Sequence, residues 1–471
     1  MLEPLPESNI LLLVARFESM MSSKDHHFFE SDELEDIIEY YSEKGKWKKA
    51  LNAVDLALEY YGFNTDFHIH KTNLLISLEK YNEALNILDE IEPIIPLQFE
   101  LHLYKGDCLM FLEEYAESIL SYKKALELAE TVEEKENVYL DLAFVYQSID
   151  KYDKSFECIL KSIRLNYHHE EAISELGSFI EFHRYYDKGI KILNEVIEHN
   201  PYCFQAWYYL GICYRELEDI EKALKAFDYS IVINNEFEPA LIEQARTMAF
   251  IGRWEEGIEL FEKALKVTGS NDEIYTELGN IFYKKQDFQK AKIYYDKAIK
   301  SSLSTDFTDE LYYKIGQCYL KEEEWLKAKK CFKKAYDKYK DAIYLKGLAN
   351  VEEKLEEFES AIYYYEEAIE MDPYNEAVWE DYSNCLYQCD MVEDAVSVLE
   401  SALFVMTDSA KLRYLLSAYL YKAGKKQQAK YEFEKALSMD FLNHELYINA
   451  FPHLKKEESV RALIEQFKKN D

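Results

Sequence analysis

The chain has 471 residues, of which 90 are acidic and 55 are basic, so its formal net charge is −35. Such a charge would repel nucleic-acid phosphates over most of the surface, and we expect no nucleic acid as a partner. At 48% hydrophobic residues, the chain is also too apolar to be a disordered acidic protein.

The N-terminal residues, 1–30, predict one capping helix. Their apolar run, residues 10–15, has no basic segment before it and is followed by charged residues. This run is too short for a signal peptide or a membrane span, so we expect a cytoplasmic protein that does not insert into membranes. Pro4 and Pro6, followed by Ser8, predict a helix that begins near Ser8 and packs on the structure after it.

From residue 31 onward, a small residue recurs at intervals of 34 positions, with two intervals of 37 and one of 33. Only a repeated structural unit keeps such a spacing, so we place this small residue at position 20 of each repeat. Position 24 is always apolar, and position 8 is small in ten of the twelve repeats. Spacings of this kind place residues on one face of a helix. The residues at position 20 are Ala50, Ala84, Ser118, Ser155, Gly189, Ala223, Gly257, Ala291, Ala328, Ala361, Ala395 and Ala429.

The repeat at residues 204–237 shows the pattern most fully, with Trp207, Leu210, Gly211, Tyr214, Ala223 and Phe227. This pattern resembles the tetratricopeptide repeat (TPR), a helix–turn–helix of 34 residues. The resemblance implies an all-α fold, a right-handed superhelix of about twelve helix–turn–helix repeats in one continuous series, with capping helices at 1–30 and 444–471. The twelve repeats are 31–64, 65–98, 99–135, 136–169, 170–203, 204–237, 238–271, 272–308, 309–341, 342–375, 376–409 and 410–443.

The cysteines and histidines do not predict a metal site or a cofactor. Six of the eight cysteines share repeat position 10 or 23, on helix faces that we expect to be buried. Cys385 and Cys389, one helical turn apart, leave a metal or redox role open. Adjacent histidines occur at 26–27 and at 168–169. On a helix, two adjacent side chains point about 100° apart, so neither pair is suited to bind one metal ion, and we expect both pairs on the surface. No catalytic motif occurs, so we expect that the protein is not an enzyme.

The resemblance also implies a binding surface. In TPR proteins the first helix of each repeat lines a concave groove with positions 2, 5, 9, 12 and 13, and this groove binds a peptide segment or a protein surface. In the first repeat these positions are acidic. From the sixth repeat onward they carry amides, cations and tyrosines, which can bind a peptide backbone and pair with its carboxylates. The implied residues are Tyr208, Arg215, Arg246, Asn280, Tyr283, Lys284, Tyr313, Gln317, Lys321, Lys346, Asn350, Lys354, Asn384, Tyr387, Tyr414, Tyr421 and Lys422.

Part of this set resembles the carboxylate clamp with which co-chaperone TPR domains hold an acidic C-terminus. Lys346, Asn350 and Lys411 match it, but Asp381 and Leu415 replace an asparagine and an arginine of the clamp. An aspartate at this place would repel the carboxylate that the clamp binds. We therefore do not expect the clamp to function here.

Repeats two and three share a departure from the pattern. His68 and His102 occupy position 4, and Lys71 and Lys105 occupy position 7, where large apolar residues are expected. These four residues could form a polar binding seam. Alternatively, the lysines extend to solvent, or the helices are rotated so that other residues pack.

Charge changes sharply towards the C-terminus. Residues 342–409 hold 17 acidic and 2 basic residues, whereas 410–443 hold 3 acidic and 7 basic residues. This step could steer a basic partner to the outer face or join two copies head to tail, although a solvated acidic face is the simpler interpretation. We predict a scaffold or adaptor for a protein or peptide partner. The alternative is a structural subunit of a larger or self-associated assembly, such as a homo-oligomer.

Overall fold

The computed structural model describes residues 7–23, 27–302 and 308–468, and all regular elements in these ranges are helices. The first thirteen are α1 (Glu7–Ser23), α2 (Ser31–Glu43), α3 (Trp47–Tyr60), α4 (Thr65–Ser77), α5 (Tyr81–Ile91), α6 (Phe99–Phe111), α7 (Tyr115–Leu128), α8 (Val132–Ser148), α9 (Tyr152–Leu165), α10 (Glu170–His183), α11 (Tyr186–His199), α12 (Phe204–Glu216) and α13 (Ile220–Ile233). The others are α14 (Glu238–Phe250), α15 (Trp254–Thr268), α16 (Asp272–Lys284), α17 (Phe288–Ser301), α18 (Thr308–Lys321), α19 (Trp325–Lys338), α20 (Ala342–Lys354), α21 (Phe358–Met371), α22 (Glu376–Gln388), α23 (Val392–Val405), α24 (Ala410–Lys422), α25 (Lys426–Met439), α26 (His444–Ala450), a 3₁₀ turn (Leu454–Lys456) and α27 (Glu458–Lys468).

These helices confirm the all-α fold and the series of about twelve helix–turn–helix repeats. Each first helix packs on the second helix directly after it, as α12 packs on α13 and α18 on α19. First helices also pack on the next first helix, as α18 packs on α20 and α20 on α22. The repeats therefore build two layers, one of first helices and one of second helices. None of the described helices is long and apolar enough to cross a membrane.

The helices divide into two compact bodies, which we call the N-terminal body (Met1–Ala240) and the C-terminal body (Leu241–Asp471). The sequence predicted one continuous series of repeats, and this expectation stays a prediction. Because each repeat contacts mainly its neighbours, a long array is held together locally.

Small residues at position 8 allow the two helices of a repeat to approach closely. A Cβ atom added to Gly211 would lie 2.5 Å from the ring of Phe227, and one added to Gly279 would lie 2.4 Å from the ring of Tyr295. Both rings, at position 24, are buried. The alternation of a small residue at position 8 and a large one at position 24 is therefore a packing requirement within each repeat.

The turn between the two helices has one backbone geometry in all twelve repeats. The residue at position 15 has a positive φ, between 55° and 82°. In repeat six the turn is closed by a bond from the Asp219 amide to the Tyr214 carbonyl, 2.8 Å long. This is the left-handed ending typical of helices, which reverses the chain within a few residues. The residues are Gly45, Glu79, Glu113, Asp150, Arg184, Glu218, Gly252, Gln286, Glu323, Glu356, Asp390 and Gly424.

The N-terminal helix α1 packs on α2. Phe17 is buried with its ring centroid 6.2 Å from that of Tyr41, whose hydroxyl donates to Glu18 at 2.9 Å. The predicted start near Ser8 agrees with a helix described from Glu7. Residues 1–6, which include the two prolines of that prediction, lie outside the described residues.

Candidate functional site

The first helices of the C-terminal body carry opposite charges at their two ends. Acidic residues lie in the first turns of α16, α18 and α22, and lysines lie in the last turns of α16, α18, α20 and α24. Both arrangements complement the helix dipole. Because the chain reverses twice per repeat, successive first helices point the same way, so the layer has an acidic edge and a lysine edge. The lysine edge is Lys284, Lys321, Lys354 and Lys422.

The lysine edge is exposed, and none of its four members forms an ion pair with another described residue. Other predicted cations of the layer are already paired. Lys346 lies 3.1 Å from Asp381 on the next first helix. The guanidinium of Arg246 contacts several glutamates, including Glu277 at 3.5 Å. Among the predicted cations of this layer, those available to a ligand are therefore the lysines of the lysine edge.

The predicted asparagines have structural bonds to buried tyrosines. The carbonyl oxygen of Asn280 accepts from Tyr295 at 3.0 Å. Asn350 accepts in the same way from Tyr365 at 2.5 Å, and Asn384 accepts from a third tyrosine, at position 419. These bonds orient each amide, since its carbonyl oxygen is occupied within the protein. Sequence reasoning assigned the amides to a ligand alone and missed these partners.

Two of the predicted groove tyrosines are buried, which corrects their assignment. Tyr414 is fully buried and stacks on Tyr447 of α26 with ring centroids 4.5 Å apart. Tyr421 is buried and hydrogen-bonded to Ser459 at 2.9 Å. The C-terminal helices therefore cover this end of the layer. Tyr387 is half-buried, because Phe451 packs edge-on against it.

The remaining predicted residues are partly exposed, and each contacts other side chains. In the N-terminal body, the ring of Tyr208 lies edge-on to another aromatic ring, and Arg215 pairs with a neighbouring glutamate at 2.9 Å. In the C-terminal body, Tyr283 packs against a phenylalanine, and the ring centroid of Tyr313 lies 5.3 Å from that of Phe332, with Gln317 one turn later on α18.

The histidine seam has a structural explanation in its hydrogen bonds. The Nε2 atoms of His68 and His102 lie 3.2 and 2.8 Å from the carbonyl oxygens six residues earlier. Trp207 and Trp379, also at position 4, donate to the equivalent carbonyl at 2.9 Å, and Arg413 does so at 2.8 Å. In these five repeats, position 4 thus supplies an N–H donor to the preceding loop, a pattern that is present in the sequence and was missed because only apolar residues were expected there.

The two lysines of the seam form ion pairs with the preceding repeat. Lys71 lies 2.7 Å from Asp55, and Lys105 lies 2.6 Å from Asp89. Both aspartates occupy position 25, so both lysines form the same ion pair, from position 7 of one repeat to position 25 of the repeat before it. The seam is therefore accounted for by contacts between neighbouring repeats.

Two carboxyl groups of the N-terminal body titrate far from their ordinary range. Burial raises the pKa of Asp107 on α6 to about 6, against the effect of a hydrogen bond from Tyr122. Burial, followed by the charge of Asp107, raises the pKa of Asp141 on α8 to about 8. Both carboxyl groups are therefore protonated more readily in the folded chain than in the unfolded chain.

Because these folded-state pKa values are raised, their contribution to stability is present at low pH and is lost as pH rises through about 6 and then 8. Asp141→Asn is expected to raise the melting temperature at pH 8 and to flatten its decline between pH 5 and 8. Circular dichroism melts at several pH values measure this. Asp187→Asn, an exposed change on α11, is the control. An unchanged pH slope in the Asp141 variant would contradict the assignment.

Comparison with known proteins finds the tetratricopeptide repeat in family models and in relatives. Tetratricopeptide repeat models match residues 100–131, 204–237, 272–304, 313–376 and 354–419. A TPR repeat-containing protein of Methanocaldococcus jannaschii is 22% identical over 199 residues, which cover 39% of this chain and 35% of that protein. YpiA, a TPR repeat-containing protein of Bacillus subtilis, is 25% identical over 157 residues, 32% of this chain and 37% of that one. The chain thus spans about a third of the length of these relatives.

Two solved structures are also similar. The crystal structure of the APC/C hetero-tetramer Cut9–Hcn1 is matched at 14% identity, over 87% of this chain and 99% of that one, with a TM-score of 0.37. PilF of Pseudomonas aeruginosa is matched at 17% identity, over 44% of this chain and 93% of that one, also with a TM-score of 0.37.

Proposed function

We propose that this chain, which is a tetratricopeptide repeat protein, is a non-enzymatic scaffold that binds an extended acidic peptide segment on the first helices of its C-terminal body. Repeats of this family generally mediate protein–protein interaction. The observation that carries the proposal is the lysine edge, where α16, α18 and α20 in succession each present an exposed lysine that has no ion-pair partner among the described residues. Exposed cations in a row provide sites for the carboxylates of a partner.

The spacing of the helices suits an extended ligand. Packed helices lie about 8–10 Å apart. A polyproline II chain rises about 3.1 Å per residue and has three residues per turn, so every third side chain points the same way about 9 Å further on. A peptide with a carboxylate at every third position could therefore meet successive lysines of the edge.

The compartment is part of the same proposal. All eight cysteines are free thiols, and six of them are buried. Free thiols suit a reducing environment, so we place the scaffold in the cytoplasm.

Changing all four lysines of the lysine edge to glutamine is expected to raise the Kd for an acidic peptide about fourfold or more. Each exposed ion pair contributes about 0.2–1 kcal/mol, and about 1.4 kcal/mol corresponds to a factor of ten. Fluorescence anisotropy of fluorescein-labelled (Glu-Pro-Pro)₄ at low salt measures the change. Because the lysines are exposed, the melting temperature should fall only slightly, by the loss of their interaction with the helix dipoles.

The matched control changes four exposed lysines of second helices to glutamine, namely Lys263, Lys300, Lys333 and Lys430. It removes the same charge from the other layer. Equal weakening in the control would mean general charge attraction, and the proposal would then be wrong. Equally tight binding of (Gln-Pro-Pro)₄ would exclude the carboxylates as the recognised groups.

A second candidate is a structural subunit of a self-associated assembly. The charge step between residues 342–409 and 410–443 favours it, because the acidic part of one copy could meet the basic part of another. Sedimentation velocity in low and high salt distinguishes the two. A stable oligomer that dissociates in salt favours the subunit, and a monomer at all concentrations excludes it.

A further inference from the structure

The layer of second helices contains two clefts near the end of the C-terminal body. One, of about 660 Å³, lies between α21 and α23 over Trp379 of α22. The other, of about 590 Å³, lies between α23 and α25 over Leu416 and Leu420 of α24. The clefts form because α21, α23 and α25 are spread apart, whereas the first helices beneath them pack on one another. Each cleft therefore has an apolar floor provided by a first helix.

One ridge separates the two clefts. Glu400 and Phe404, one turn apart on α23, line both of them. The side chain of Phe404 is 89% exposed, although a phenylalanine ring gains most by leaving water. Tyr431, on the far wall of the second cleft, is 54% exposed. The ridge and this wall offer aromatic surface that no other part of the described chain covers.

The rim of the clefts is acidic. Glu370 lines the first cleft and Glu400 lines both, and each is exposed and forms no ion pair with another described residue. The cation of the second cleft, Arg413, is already paired with Glu432. The repeats that form the two clefts, residues 342–443, together hold 20 acidic and 9 basic residues, with the excess of acidic residues in 342–409. A partner must therefore bring positive charge as well as apolar side chains.

We propose that these two clefts bind a basic amphipathic helix of a partner protein, with one apolar side chain in each cleft on either side of Phe404. A helix presents apolar residues along one face and lysines or arginines beside them, which matches an apolar floor inside an acidic rim. This surface belongs to the layer of second helices, so it is separate from the lysine edge and goes beyond the function proposed above.

The test uses the full chain and a fluorescein-labelled 18-residue peptide of leucine and lysine, with leucines at helical spacing. Phe404→Glu is expected to raise the Kd of this peptide at least tenfold, because it replaces the ring of the ridge by a charge. Glu400→Lys should also weaken binding and should reduce its dependence on salt. Both residues are exposed, so circular dichroism melts should show unchanged stability.

Two control variants occupy the same repeat positions elsewhere. Val232→Glu corresponds to Phe404 at position 29, and Glu262→Lys corresponds to Glu400 at position 25. Both are expected to leave the Kd within twofold of the unchanged chain. The proposal is overturned if the controls weaken binding as much, if Phe404→Glu binds normally, or if the unchanged chain does not bind the peptide. A dimer that Phe404→Glu dissociates in sedimentation would identify a second copy as the occupant and would also overturn it.

Discussion

Phe227→Ala is expected to lower the free energy of unfolding of α12 and α13 by about 3–5 kcal/mol, the usual cost of removing a buried ring. Phe227 is fully buried and faces Gly211 at the closest approach of the two helices. The helices cannot collapse fully into the cavity, since neighbouring repeats hold both of them. Amide hydrogen exchange measures the local loss, and thermal melting measures its effect on the whole chain.

A double-mutant cycle with Gly211→Ala controls this prediction. Alone, the added methyl group should destabilise the repeat by about 1–3 kcal/mol, because its carbon would lie 2.5 Å from the ring of Phe227. In the Phe227→Ala background the same methyl group enters an empty space and should cost much less. A coupling of about 0.5–3 kcal/mol is expected for residues in direct contact. Additive costs would show that the two positions do not pack as the structure indicates.

Arg413→Ala is expected to cost about 3 kcal/mol, the lower end for a buried ion pair, because it leaves a largely buried carboxylate without its partner. The side chain of Arg413 is only 10% exposed and that of Glu432 only 15%. The same guanidinium donates to the carbonyl of Thr407 at 2.8 Å. One substitution thus removes an ion pair and the donor that position 4 provides to the preceding loop. Chemical denaturation followed by circular dichroism measures the loss.

Second variants separate the two contributions. Arg413→Ala with Glu432→Gln should recover part of the stability, since no uncompensated charge remains buried. Arg413→Trp with Glu432→Gln should recover more, because the indole can donate to the loop as it does at Trp207 and Trp379. If neither double variant is more stable than Arg413→Ala, the assignment of the two bonds is wrong.

The fold could be predicted because its determinant is periodic. A small residue at position 8 recurs with an apolar residue at position 24 in ten of the twelve repeats, and in space these two positions are in contact, as Gly211 and Phe227 are. The left-handed turn at position 15 was not predicted, because nine of the twelve residues at this position are not glycine. The cover over Tyr414 was also missed, since residues 444–471 no longer follow the repeat.

The candidate site was predictable only in part. Repeat position located Lys284, Lys321 and Lys354 on the layer of first helices. It could not show that Lys346 is paired, because Asp381 lies on the next first helix and at a different repeat position. Nor could it show that Asn350 accepts from Tyr365. Partners of polar side chains depend on rotamers and on neighbouring helices, which a one-dimensional pattern does not contain.

The left-handed turns give the array an adjustable resistance to unfolding. Nine of the twelve hold a residue with a side chain at position 15, and three hold glycine. Glycine adopts this conformation without steric cost, although it loses more chain entropy on folding than other residues do. Replacing the residue at any one of the nine sites by glycine would therefore stabilise the fold by up to about 1 kcal/mol. Such gains would accumulate repeat by repeat and leave both helical layers as they are. Thermal adaptation and partner choice can therefore evolve, or be engineered, independently in this architecture.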